Sequence, residues 1–205
     1  MSNGDLFVVS APSGTGKTTL IRRLLGEIAR IDFSVSFTTR RMRTGEQEGV
    51  DYHFVDDDRF SRMIEAGEFL EWARVHDQRY GTSATLVDAS LRRGHDVLLD
   101  IDTQGAASIR ARREDAILIF ILPPDRATLE TRLRGRGLES AADVERRLGN
   151  ARQELEKYVN YDHLVINDDL DEALRELEGI VYSYRSRAVR RRERCRSILA
   201  TFQKT

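Results

Sequence analysis

The chain has 205 residues, 40% of them hydrophobic and only three of them proline, which excludes a disordered composition and allows one good core with an inserted or appended subdomain. Lys and Arg number 33 against 34 Asp and Glu, for a formal net charge of -1, so whole-molecule attraction to nucleic acid or to an anionic membrane is excluded as the dominant force and any anion binding has to be local. Cys195 is the one cysteine, no apolar run approaches the ~20 residues that span a bilayer, and the opening Met-Ser-Asn-Gly-Asp lacks signal-peptide order; the expected setting is a reducing cytoplasm without membrane contact.

Leu6-Phe7-Val8-Val9-Ser10 is a β-branched and aromatic run that stops at Ala11-Pro12-Ser13-Gly14-Thr15-Gly16, a loop signal. Leu20, Ile21, Leu24, Leu25 and Ile28 then recur at helical spacing, so the chain opens strand, glycine loop, helix. Residues 33–83 break the rhythm with short alternating runs, Asp51 to Val55 and Phe69 to Val75, and predict a small β-rich insertion. Val97 to Ile101 and Ala116 to Leu122 are apolar on both faces, as parallel strands covered by helices are. Asp125 after Pro123-Pro124 is placed to cap a helix carrying Leu129 and Leu133, and Ser140 with Asp143 resembles a capping box ahead of Val144, Leu148, Ala151 and Leu155. A strand at His163 to Asn167 and a closing helix with Leu170, Leu174, Leu177, Val181 and Tyr184 on one stripe complete an α/β order.

The run Ala11 to Thr18 fits G-x-x-x-x-G-K-[ST] except that its leading glycine is Ala11. Along the stretch Ala11 to Thr19, the glycines let successive backbone N–H groups turn inward around a triphosphate and the following helix presents its positive end; Lys17 neutralises β- and γ-oxygens and Thr18 offers a hydroxyl to Mg²⁺. Thr38-Thr39-Arg40-Arg41-Met42-Arg43-Thr44-Gly45-Glu46, ahead of Asp51-Tyr52-His53-Phe54, gathers arginines that can fork onto a phosphate dianion. Asp100 and Asp102 stand at the carboxyl end of a buried strand, where an open parallel sheet presents ligand groups, and Asp100 is placed to hold Mg²⁺ directly or through water.

These motifs, with Phe-Leu-Glu-Trp-Ala at 69–73, Tyr-Gly-Thr at 80–82, Leu-Asp-Ile-Asp-x-Gln-Gly at 99–105, Gly-Arg-Gly at 135–137 and Val-Ile-Asn-Asp-Asp-Leu at 165–170, occur in the order of the guanylate kinase family, which this chain resembles from residue 10 to about 170. The resemblance implies a three-layer P-loop NTPase fold with a parallel sheet, a β-rich GMP-binding insertion and a helical arginine lid, and transfer of the γ-phosphoryl group of ATP to GMP with Mg²⁺. It implies a core at 1–32, the insertion at 33–83, core again at 84–130, the lid with its flanking helix at 131–157, and core with the C-terminal helix at 158–205. Arg40, Arg43, Tyr52 and Tyr80, with Glu46 nearby, resemble the family's clamp on the GMP phosphate. Ser36, Glu71 and Thr82 resemble its readers of the guanine edge; a carboxylate such as Glu71 can accept from the N1–H and N2–H₂ pair that adenine lacks. Asp102 resembles a residue turned toward GMP; capping of the next helix could explain one of the two acids, Asp100 or Asp102, and a functional role is the preferred reading of each. Arg132, Arg136 and Arg147 resemble lid arginines that touch the phosphates, whereas Arg134 and Arg146 read as solvated; Asn167-Asp168 resembles the adenine-side contact, with a helix cap nearly as good an explanation for Asp168 or Asp169.

Met42 stands where the family usually has proline. A noncatalytic scaffold module and a sugar-phosphate kinase are the rival readings; Lys17 with Thr18 argues against the first, and Ser36, Glu71 and Thr82 argue against the second. His53, His76, His95 and His163 lack ligand spacing, which argues against zinc. Trp72 reads as core or cleft lining, and Cys195 as an ordinary free thiol. Seven arginines and one glutamate between Arg185 and Arg196 read as a solvated helix end in preference to a nucleic-acid contact. The oligomeric state is open at this level, a homo-oligomer included.

Overall fold

The computed structural model describes residues 3–75, 77–135 and 140–202. Five parallel strands form the main sheet in the order β2-β7-β1-β8-β9. They are β1 (Leu6–Ser10), β2 (Ile31–Phe33), β7 (Asp96–Asp100), β8 (Ile117–Leu122) and β9 (His163–Ile166). All five residues of β1 are buried because both faces are covered. Phe7 and Val9 pack with helices α1 (Lys17–Glu27) and α7 (Leu170–Ser186), while Leu6 and Val8 pack with α3 (Ala84–Arg92) and α4 (Thr103–Arg112). Alternate side chains of a strand point to opposite faces, so a doubly apolar run needs a helix layer on each side, and three layers follow. The closing stripe of α7 buries Leu174, Leu177 and Val181 as its periodicity requires.

Between the first helix and the second half of the sheet lies a separate four-stranded sheet, β4-β3-β6-β5. Its strands are β3 (Phe37–Thr38), β4 (His53–Phe54), β5 (Phe69–Val75) and β6 (Gln78–Ser83), with helix α2 (Asp57–Glu65) packed against them. Phe60, Met63 and Phe69 give it a core of its own. The strand expected from Asp51 to Val55 contracts to His53–Phe54. Gly45 and Gly49 turn the preceding loop with φ of +91° and +73°, and the Glu48 carboxylate takes the Phe54 N–H at 2.9 Å.

Helices α5 (Arg126–Arg134) and α6 (Ala141–Leu155) form a third packing unit around Leu129, Leu133, Val144, Leu148 and Ala151. Asp125 caps the first by accepting from the Thr128 N–H at 2.6 Å, and Ser140 caps the second by accepting from the Asp143 N–H at 3.2 Å; each cap contributes about 1 kcal/mol.

The arginine-rich tail departs from the expected solvated helix end. Arg187 is non-helical, and a separate helix α8 (Ala188–Phe202) follows it. Arg185 Nε donates to Asp96 Oδ2 at 2.6 Å and Arg190 Nη2 to Asp96 Oδ1 at 2.9 Å, while Arg187 pairs with Asp5. Asp96 is buried at the start of β7, and a buried carboxylate needs such partners, so part of the tail ties down the lower edge of the sheet.

Candidate active site

The loop after β1 leaves the sheet at its carboxyl edge and wraps ahead of α1. Gly14 and Gly16 have φ of +91° and +93°, the left-handed region that L side chains rarely adopt. Among the described residues, the non-glycine positive φ values belong to Arg30 and Asp77, so Ala11 carries no such strain where the motif usually has glycine. Ala11 packs against the core instead. Thr15 is fully buried and its hydroxyl donates to the Pro12 carbonyl at 2.9 Å, which ties the loop to itself. Ser13, Thr18 and Thr19 are exposed around the helix start. Lys17 ion-pairs with Asp100, the last residue of β7.

Asn167 sits beneath this loop rather than at a solvent-facing edge. It is 3% exposed, and its Nδ2 donates to the Thr15 carbonyl at 2.6 Å. A Cβ at Gly16 would lie 2.5 Å from that nitrogen. Gly16→Ala is therefore expected to destabilise the protein by roughly 2 kcal/mol, from left-handed strain together with displacement of the brace. Gly26→Ala in α1, where an added Cβ meets nothing within 4 Å, is expected to stabilise by about 0.5–1 kcal/mol. Urea denaturation of both variants checks the contrast; equal effects would show that the loop does not require glycine.

In the small sheet, Arg40 forks onto Glu46 with Nη1–Oε2 and Nη2–Oε1 distances of 3.0 and 2.7 Å. Its guanidinium lies 5.2 Å from the Tyr52 ring centroid and 5.8 Å from that of Phe54. Tyr80 meets Tyr52 at 5.8 Å between centroids. The Arg40 hydrogen bonds and then the Arg43 N–H hold Glu46 below the usual carboxylate range. Glu46 therefore orients the arginine from behind. Arg43 is exposed and contributes its backbone N–H, at 2.8 Å, to the same carboxylate.

Glu71 is buried, and its Oε1 accepts from the Thr82 hydroxyl at 2.6 Å. The pairing of β5 with β6 shifts register between Phe69 and Glu71, which brings Glu71 opposite Thr82. That bulge lets three successive residues be buried: Phe69 in the small core, Leu70 against the main sheet, and Glu71 toward the cleft. Burial pushes the Glu71 carboxyl above its ordinary value, and the nearby Asp102 adds to the rise. Asp102 itself caps α4, accepting from the N–H groups of Gln104 and Gly105 at 3.0 and 2.8 Å. Ser36 lies between β2 and β3, where its carbonyl accepts from the His53 N–H at 2.9 Å.

Of the arginines expected in a lid, Arg132 donates to the carbonyls of Asn167 at 2.9 Å and Thr15 at 3.5 Å, and Arg147 hydrogen-bonds Ser13. Both thus reach the phosphate loop. Arg134 and Arg146 pair with Glu130 and Asp143 on the surface, as their solvated reading requires. Arg136 and His76 lie outside the described residues. Asp169 is the cap of α7, accepting from Asp171 and Glu172 N–H groups, both at 2.9 Å. Trp72 is 42% exposed, against the expectation of core or lining, because strand alternation turns it away from the buried Glu71.

Three residues near the site have no role in the sequence reading. Gly105 lies so close that a Cβ there would stand 3.1 Å from Glu71 Oε2; it falls within the Asp-x-Gln-Gly run, and that run was its only signal. Arg112 donates to the carbonyls of Phe69 and Leu70 at 3.1 and 3.0 Å, fastening the small sheet to α4. Burial raises the Glu154 carboxyl of α6, while the positive charge of Lys17 opposes that rise. Nothing local in the sequence marks the last two.

A glycine-turned loop with its lysine at the carboxyl edge of a parallel sheet, facing an arginine fork and a buried carboxylate, defines a P-loop nucleotide kinase. The family model described as guanylate kinase matches residues 3–184. A guanylate kinase of Chromohalobacter salexigens is 52% identical over 189 residues, covering 92% of this chain and 88% of that protein. That of Vibrio cholerae is 48% identical over 187 residues, with 90% of each covered. The crystal structure of guanylate kinase from Anaplasma phagocytophilum superposes with a TM-score of 0.75 at 33% identity, covering 92% of this chain and 90% of that one. The chain belongs to the guanylate kinase family.

Proposed function

We propose that this guanylate kinase carries out ATP + GMP to ADP + GDP by in-line transfer across the cleft between the phosphate loop and the small sheet, with the residues named above in definite roles. The observation that carries the assignment is the pairing of Lys17 with Asp100 at the sheet edge, opposite a second, independent set of anion and purine contacts around Arg40 and Glu71. ATP would lie along Ala11 to Thr19, its phosphates held by loop N–H groups and Lys17, with the buried Asn167 on the donor side bracing that loop from below. GMP would lie in the segment 33–83, its phosphate on Arg40, Arg43, Tyr52 and Tyr80 and its base on Ser36, Glu71 and Thr82.

The donor set suits Mg²⁺: Thr18 supplies a hydroxyl and Asp100 a single carboxylate, both oxygens, in keeping with an ion that takes few protein ligands and leaves the rest to water and phosphate. When bound, the ion would neutralise charge on the transferring oxygens. This chain's own work is positioning and cation placement. Arg132 and Arg147, already in contact with the loop and carried on the segment 131–157, would close over the phosphates and expel water. The GMP phosphate is already anionic, so no general base is needed.

A panel of acceptors tests the reading: GDP should form from GMP and MgATP, and a preference for ribose phosphates would overturn it. Glu71 adds a pH signature. Its raised value means that, between the ordinary carboxylate range and that value, the native state holds more protons than the unfolded chain; stability falls as pH rises through this window. Base binding runs the other way, because guanine needs the ionised acceptor. Guanosine, which has no phosphate to titrate, is expected to lose affinity as pH falls through the window in the wild type and to bind weakly and evenly in Glu71→Gln. Identical profiles in the two proteins would remove Glu71 from the base site.

A further inference from the structure

At the amino edge of the main sheet, roughly 15 Å of strand away from the phosphate loop, a cavity of about 480 Å³ is lined by Arg30, Arg93, Arg185, Arg190 and Arg194, with Glu193 the one acid in its wall. The volume falls in the range of small-molecule sites. The guanidinium groups come from segments far apart in sequence: the turn into β2, the end of α3, the end of α7 and the first turns of α8. Like charges do not gather from four places without cost, so their convergence needs an anion or an internal set of acids to hold it.

The acids account for part of it. Asp96 takes Arg185 and Arg190 from behind, Asp5 takes Arg190, and Asp32 takes Arg93 through a single nitrogen at 3.1 Å. Asp5 and Asp96 are largely buried below the wall and act as anchors that aim the arginines. Arg30 and Arg194 have no ion-pair partner among the described residues and are exposed at the rim. Arg30 also holds φ at +58°, in the left-handed region that costs a residue with a Cβ about 1 kcal/mol or more. Asp96, Asp5 and the Ala29 and Arg30 carbonyls take up donors of Arg185 and Arg190, so the charge offered to the cavity is chiefly that of Arg30, Arg93 and Arg194, set around a volume too large for one phosphate and suited to several in a row.

We propose that this cavity is a second anion site that takes a small molecule carrying two or more linked phosphates, separate from the catalytic cleft. The geometry favours such a ligand over nucleic acid, since the arginines converge on an indentation instead of lining a strip along α8.

Calorimetric titration with tripolyphosphate on the full chain decides it. The wild type is expected to bind two equivalents, one at the phosphate loop and one here. Lys17→Ala should keep the second alone, and Arg30→Gln with Arg194→Gln should keep the first alone, with the lost site weakened at least tenfold and kcat unchanged. GTP titrated in parallel separates sources: loss of its second equivalent in the double variant marks a nucleoside polyphosphate, and loss confined to tripolyphosphate marks an inorganic chain. One equivalent in the wild type, two in the double variant, or displacement of tripolyphosphate by a duplex oligonucleotide at equal concentration would overturn the proposal.

Discussion

Lys17→Ala is expected to lower kcat by about 10³-fold, roughly 4 kcal/mol of transition-state stabilisation, while the melting temperature stays within a few degrees of wild type. The loop's backbone donors survive the change, so ATP still docks. What disappears is the positive charge that grows more valuable as charge spreads over the transferring phosphoryl oxygens. In the resting protein that ammonium is matched with Asp100, the two side chains being 20% and 22% exposed. Both partners keep some water, so deleting one leaves a solvated carboxylate at a cost of about 1 kcal/mol or less. Lys17→Arg is expected to fail as well, because a planar fork cannot stand in for a compact ammonium in a narrow cradle. Initial rates of GDP formation, with circular dichroism melting, separate the cases. Full activity, or a protein that no longer melts cooperatively, would show that Lys17 has another role.

Arg40→Ala is expected to raise the KM for GMP about 10²-fold with a smaller change in kcat, which corresponds to loss of a charge-assisted pair of hydrogen bonds worth up to ~3 kcal/mol. Glu46 occupies one edge of the guanidinium and the Tyr52 and Phe54 rings one side of it, so the arginine is already oriented before any phosphate arrives. Preorganisation of this kind is why Arg40→Lys should recover little: an ammonium cannot make the paired contacts to Glu46 that fix the position. Guanosine is the control. Its affinity should be the same in wild type and Arg40→Ala if, as proposed, the arginine meets the phosphate and not the base; an equal loss for guanosine and GMP would mean that the change had damaged the whole small sheet.

Residue patterns carried the fold far. The doubly apolar runs at Leu6, Val97 and Ala116, the glycine loop and the helix stripes are local signals, and each marks an element of the three layers. Asp125 and Ser140 cap the helices they precede because a capping bond closes within three residues. The reading failed where partners are distant. Trp72, beside Glu71, read as core or cleft lining, yet alternation after the bulge turns it outward. The arginine tail looked solvated because the acids that hold it, Asp5 and Asp96, lie about 90 or more positions earlier.

By itself, then, the order of residues settled the chemistry on offer: a loop that can hold a triphosphate, arginines that can grip a second phosphate, and carboxylates at a strand end. Those are properties of short segments, set by glycine conformations, charge and apolar period. Only the tertiary structure decided which groups are free to act. Asp102 is engaged as a cap and Glu46 as a brace, Asn167 props the loop from below, and a shift of register in β5 carries Glu71 into a buried place opposite Thr82. The physical reason is burial: a polar side chain removed from water must find its partner in space, and that partner is chosen by how the layers pack.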